Sequence, residues 1–137
     1  MLVLDPEELQ KIGDCIKENL IKAANVSGVL LIDMGGNVIV DAGFKDNNID
    51  VASLAALSAA NFAAMAEIAR LIGETEFSLL FHKGKQENIY FTKAGRSFIL
   101  VTVFGNDISL GLMRLKVSHV KEEIEKEIAS GRLKEVF

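Results

Sequence analysis

From residue 51 to residue 72 the chain carries neither glycine nor proline, and its only charges there are Glu67 and Arg70. Nothing in such a stretch interrupts a helix, and Asp50 stands where an N-cap belongs. A helix this long and apolar constrains the whole fold, because its sides must be covered by a sheet or by other helices. Strand-like runs lie on both sides of it.

Ahead of it, Gly28, Val29, Leu30, Leu31, Ile32 and Asp33 form a continuous apolar run, the pattern of a strand covered on both faces. Met34, Gly35, Gly36 and Asn37 supply a tight turn, and Val38, Ile39, Val40, Asp41 and Ala42 return as the second strand of a hairpin. Lys45, Asp46, Asn47 and Asn48 form a polar loop. Behind the long helix, residues 77–82, 88–93 and 97–104 read as three strands joined by turns around Gly84 and Gly95, most simply a meander.

At the front of the chain Asp5 caps, Pro6 suits the first helical position, and Glu7 and Glu8 favour the positive end of the helix dipole. Leu9, Ile12, Ile16, Leu20 and Ala23 then recur at helical spacing until about Asn25. After Gly105, Asn106 and Asp107 a last segment opens at Ser109. Residues 110–115 fit a strand or a helix, whereas Val117, Val120, Ile124 and Ile128, interleaved with Lys and Glu, are helical. The order is helix, two strands, long helix, three strands, helix. That is an α/β fold of the α+β kind, one domain over residues 1–137.

The long helix has two kinds of apolar surface. At about 100° per residue, Val51, Leu54, Leu57, Phe62, Met65, Ile68, Leu71 and Ile72 gather on one half, which is expected to cover the helix's own sheet. The other half holds Ala52, Ala55, Ala56, Ala59, Ala60, Ala63 and Ala66, with Glu67 and Arg70 to solvate it. An alanine strip admits another backbone closely and loses little side-chain entropy on association. A helix-to-helix interface follows, with a twofold homodimer the first expectation. Arg at Ala59 or Ala63 should then give a folded protein that no longer self-associates. Phe77, Ser78, Leu79, Leu80 and Phe81 raise a second association surface, since at a sheet edge they carry too little charge to prevent pairing; a central position is the alternative.

Charge narrows the partners. Half the 137 residues are apolar and 25% are charged, the balance of a folded protein, and acids outnumber bases to leave a net charge of -4. A nucleic-acid binder needs a clustered basic excess, and so does a protein that docks on an anionic membrane surface, so neither nucleic acid nor membrane is expected as a partner. No stretch reaches eighteen or so uninterrupted apolar residues, and the N-terminus lacks a basic leader and a cleavage site, so a reducing cytoplasm is expected. Cys15 has no second cysteine to pair with and reads as a buried apolar thiol.

The residues show no sign of catalysis. His82 and His119 have no partner in sequence, and no Gly-x-Ser-x-Gly, His-Glu-x-x-His or Gly-x-Gly-x-x-Gly pattern occurs. Lys83, Gly84 and Lys85 lack the spaced glycine and the following Ser or Thr of a phosphate loop and make a turn instead. Asp33 and Asp41 flank one hairpin with nothing basic or metal-binding beside them. Arg70, Arg96, Arg114 and Arg132 are each conceivable as an arginine finger for a partner GTPase, Arg96 least implausibly. No metal or cofactor is expected.

The element order and three stretches resemble the roadblock family of proteins related to dynein light chains. The first is Gly28, Val29, Leu30, Leu31, Ile32 and Asp33 leading through Gly35, Gly36 and Asn37 to Val38 and Ile39. The second is the helix sequence Asn61, Phe62, Ala63, Ala64, Met65, Ala66, Glu67, Ile68, Ala69. The third spans residues 77–115 and is similar to bacterial MglB-type members; in all, the resemblance covers residues 7–127.

The resemblance implies a three-layer sandwich: a five-stranded antiparallel sheet, the long helix on one face and the terminal helices on the other. It implies a homodimer that pairs the third strand, Glu76, Phe77, Ser78, Leu79, Leu80, Phe81 and His82, and packs the long helices together, with Ala52, Ala55, Ala59 and Ala66 at the seam. It further implies a small Ras-like GTPase partner of the MglA type, bound on the long-helix side at Ala56, Ala60, Ala63, Ala64 and Glu67. MglB-type proteins speed GTP hydrolysis by reshaping the GTPase's switch segments, not by supplying an arginine. A non-catalytic adaptor is the second expectation. A small-molecule sensor is the third, set back by the aliphatic character of the inward positions.

Overall fold

The computed structural model describes residues 2–3, 5–44, 48–129 and 134–135. Asp5 accepts a hydrogen bond from the Glu7 backbone N–H at 2.9 Å and opens helix α1 (Pro6–Ile16) with Pro6 in its first turn. The helix widens into π geometry over Lys17–Lys22 and ends at Asn25, whose φ of 53° terminates it. The buried positions are Glu8, Ile12, Ile16, Leu20 and Ala24, and the wider turn over Lys17–Lys22 corrects the expected periodicity at its end, where Ala24 is buried and Ala23 faces solvent.

Strands β1 (Gly28–Asp33) and β2 (Val38–Ala42) form the expected hairpin. Asp33 secures its turn by accepting from the Gly35 N–H at 3.0 Å and from the backbone and side chain of Asn37. Gly36 takes φ +86°, and a Cβ there would lie 2.9 Å from the Ala56 Cα, so the turn sits directly on the long helix. That helix, α2 (Val51–Leu71), is capped by Asp50, which accepts from the Ser53 N–H at 3.1 Å and its hydroxyl at 2.6 Å.

Strands β3 (Leu80–Lys83), β4 (Glu87–Ala94) and β5 (Phe98–Gly105) make the meander. The residues left open at 110–115 are helical, the first turns of α3 (Leu110–Ala129). β1 pairs with β5, so the antiparallel sheet runs β2-β1-β5-β4-β3, with β1 and β5 central and β3 at an edge. Separately, Leu2–Val3 and Lys134–Glu135 pair as two short antiparallel strands. Of the polar loop, Lys45, Asp46 and Asn47 lie outside the described residues, as does Arg132.

Alternation along β5 divides the core. Phe98, Leu100 and Phe104 join Ile12, Ile16, Leu20, Met113, Val117, Val120 and Ile124 under α1 and α3. Ile99 and Val101 join Leu30, Ile32, Phe44, Phe91, Ala55 and Ala59 under α2. The three layers are as the sequence leads one to expect.

Candidate partner interface

The side of α2 that meets the sheet is not the one its large side chains suggest. Ala55, Ser58, Ala59 and Ala69 are the buried positions, with Val51, Leu54 and Phe62 partly buried beside them. Leu57, Leu71 and Ile72 are 69%, 70% and 66% exposed, and Ile68 is also exposed. The sheet supplies bulk through Leu30, Ile32, Phe91, Ile99 and Val101, so small helical residues let the two backbones close together without overpacking. This corrects two expected interface residues: Ala55 and Ala59 are covered by their own sheet and offer nothing to a second chain. Of the same group, Ala52 and Ala66 are exposed.

Along the outward side, Leu57, Asn61, Ala64, Ile68 and Leu71 alternate at spacings of four and three, which keeps them on one line of the helix. Ala56, Ala60, Ala63, Ala64 and Glu67 are all exposed. The two charges cancel locally: Arg70 Nε donates to both Glu67 carboxylate oxygens at 3.1 Å, and Nη2 to Oε1, which holds the Glu67 carboxyl below its usual range. α2 is also long and apolar enough, by composition alone, to cross a membrane. It passes that test on average hydropathy, although Ser53, Ser58, Asn61, Glu67 and Arg70 interrupt it and no uninterrupted apolar run of that length occurs. One flank of α2 packs on the sheet, and the rest leaves Leu57, Ile68, Leu71 and Ile72 uncovered on one helix.

Beside it lies the edge strand. The structure answers the question of edge or centre for this segment: β3 is at the edge. It begins later than its sequence suggests, at Leu80, so Glu76, Phe77, Ser78 and Leu79 precede it as irregular chain. Glu76, Ser78, Leu79 and His82 are exposed, and Phe77 and Leu80 are half-buried. Phe81 points to the α1 and α3 side, stacked on Phe104 with ring centroids 6.0 Å apart.

The residues weighed for chemistry are scattered. His82 is exposed and meets Phe91 edge-on, and His119 is exposed on α3. Asp41 pairs across from Leu30, about 10 Å along the strand from Asp33 at some 3.3 Å per residue. Cys15 is half-buried, not buried, and burial pushes its thiol pKa up, away from the reactive thiolate. Lys83, Gly84 and Lys85 form the expected turn, with the Gly84 N–H donating to the Glu87 carbonyl at 3.1 Å. Among the described residues, no three His, Cys, Asp or Glu side chains gather to hold a metal.

Sequence reading missed the outward Leu57, Ile68, Leu71 and Ile72, and the exposed Leu112 and Leu115 of α3. A signal for the first group was present in the seven-residue recurrence of Leu57, Ala64 and Leu71, the interval of a helix seam.

Known proteins agree with this architecture. Myxococcus xanthus MglB is 42% identical, with a TM-score of 0.81 over 88% of this chain and 96% of its own. The gliding protein MglB of Thermus thermophilus is 27% identical, with a TM-score of 0.83 over 94% and 96%. An MglB solved in a tetrameric arrangement is also 27% identical, with a TM-score of 0.84 over 94% and 96%. The search of curated proteins returned no match. The Roadblock/LC7 domain matches residues 14–104, and the chain belongs to that family.

Proposed function

We propose that this protein is a cytoplasmic homodimeric regulator that binds a small Ras-like GTPase of the MglA type and stimulates its GTP hydrolysis. The observation that carries the reading is the uncovered, locally neutral apolar face of α2 beside an open sheet edge. A chain that leaves Leu57, Ile68, Leu71 and Ile72 in water gains by covering them with protein. The likeness to MglB proteins, one of them in a tetrameric arrangement, supports both self-association and the kind of partner.

In this reading a second copy covers the line of Leu57, Ile68 and Leu71 and pairs with the edge around β3, while Ala52 and Ala66 flank the seam. Ala56, Ala60, Ala63 and Glu67 face the GTPase, and Ala64, on the line of Leu57, Ile68 and Leu71, sits where the two surfaces meet. Small side chains there allow close approach of a switch segment at low entropic cost. Arg70 is tied to Glu67, and the acceleration, on the MglB-like reading, comes from holding the GTPase's own switch segments in their hydrolytic arrangement.

Single-turnover GTP hydrolysis by the MglA-type partner, at rising concentrations of this protein, tests the proposal. Saturable acceleration that is lost in Ala63→Arg is the expected result. Binding without acceleration would instead make the protein a scaffold or adaptor subunit.

A further inference from the structure

Asn61 stands at the midpoint of α2 and is the one polar member of an otherwise apolar stripe. Leu54, Leu57, Asn61, Met65 and Ile68 follow one another at steps of three, four, four and three. At about 100° per residue they fall within roughly 80° of the helix circumference. Leu57 and Ile68 are exposed, and Leu54 and Met65 are half-buried. The stripe lies on the flank toward the open edge of the sheet. Leu54 shares a groove with His82 and Lys83 at one end of β3, and Met65 shares a cleft with Ser78 and Leu80 at the other.

The stripe reads the same in both directions. Counted outward from Asn61, a large apolar side chain stands four residues away on each side and another seven away. A twofold contact demands that symmetry, because what one copy offers on one side of the axis the other returns on the opposite side. Asn61 itself suits such an axis. Asparagine is a poor choice for a helix interior, and this half-buried amide has no hydrogen-bond partner among the described residues. An amide is both donor and acceptor, so two of them meeting across an axis satisfy each other reciprocally. No charged residue lies between Val51 and Ala66, so pairing this segment with itself opposes no like charges. The β3 edge beside the stripe asks for the same symmetry, since antiparallel pairing with its own copy needs a twofold axis along the sheet normal, which also sets two α2 helices antiparallel.

We infer that Asn61 lies on the twofold axis of the homodimer, its amide bonded to the partner's Asn61, and fixes the register of the two α2 helices. Leu57 then packs against the partner's Met65, and Leu54 against the partner's Ile68. Any slipped register leaves both amides against hydrocarbon, which is how a lone polar residue in an apolar seam selects one pairing. The inference rests on the homodimer reading and assigns the residue that sets its geometry.

Disulfide trapping tests it, in the intact chain with Cys15→Ser to remove the native thiol. Asn61→Cys should give a covalent dimer on mild oxidation, because only a residue at the axis comes within disulfide reach of its own copy. Leu57→Cys alone should not, since four residues on each side of the axis place the two copies about 12 Å apart along the helices; mixed with Met65→Cys, it should cross-link to that chain. Asn61→Asp sets two carboxylates against each other and should raise the dimer dissociation constant at least tenfold at neutral pH, whereas Ala60→Asp, on the other flank, should leave it unchanged. A sedimenting dimer in which Asn61→Cys fails to cross-link overturns the assignment of the axis and leaves the homodimer standing. Equal weakening by the two aspartates overturns the amide pairing. A parent protein that sediments as a monomer removes the homodimer reading, and the inference with it.

Discussion

On one face of β5, Phe98, Leu100 and Phe104 share a core with large side chains drawn from α1, α3 and the sheet. One residue out of step, Ile99 and Val101 meet Ala55, Ala59 and a partly buried fringe on α2. The first face is closed by the chain itself, with polar residues outermost on α1 and α3 over most of their length. The second is thin, and the helix that covers it turns leucines and isoleucines to water. The contrast separates a face that stabilises the monomer from a face whose apolar burial is left to an interaction, and substitutions on the two should behave differently.

The largest effect belongs to the closed face. Phe98→Ala removes a fully buried ring and should cost about 3–5 kcal/mol, seen as a lowered urea midpoint at unchanged slope. A cost below about 1 kcal/mol would mean that this core is looser than its burial indicates.

Alanines on the two sides of α2 sharpen the comparison. Ala59 lies against the sheet, so Ala59→Arg overpacks the core and buries charge, and should destabilise by about 2–4 kcal/mol. Leu71→Lys, on the outward side, should leave stability within about 0.5 kcal/mol and shift the sedimenting species from dimer to monomer. If Leu71→Lys unfolds the chain, or leaves the sedimenting mass unaltered, the outward side is not the self-association surface.

The smallest effect concerns the start of α2. Hydrogen bonds from the Ser53 side chain and backbone hold the Asp50 carboxyl below the usual aspartate range. A depressed folded-state pKa means that the cap's contribution is present above that range and is lost as pH falls through the lowered value. Asp50→Ala should therefore lower Tm slightly at neutral pH, and the two melting curves should converge in acid. A difference that persists undiminished in acid would assign the effect to helix propensity and not to the charged cap.

The comparison also shows what was legible beforehand. The continuous apolar run of β1 and the turns around Gly84 and Gly95 made the strands plain, and parity along each strand then fixes the face its residues take. The caps at Asp5 and Asp50 and the turn at Gly36 were equally plain, since each satisfies a local backbone requirement. The candidate interface was legible as a helix with apolar residues to spare, but not as particular side chains, because the division of α2 into a bulky half and an alanine half does not say which half the sheet takes.

The sequence by itself determined the order of the main elements, the caps that open α1 and α2 and the two-faced sheet, all of which follow from backbone requirements and short-range periodicity. Tertiary structure alone decided which side of α2 meets the sheet, because the bulk of Leu30, Phe91 and Ile99 selects alanine as its neighbour and sends Leu57 and Leu71 outward. It also decided where β3 begins: a strand forms only where a partner strand accepts its hydrogen bonds, and that pairing starts at Leu80.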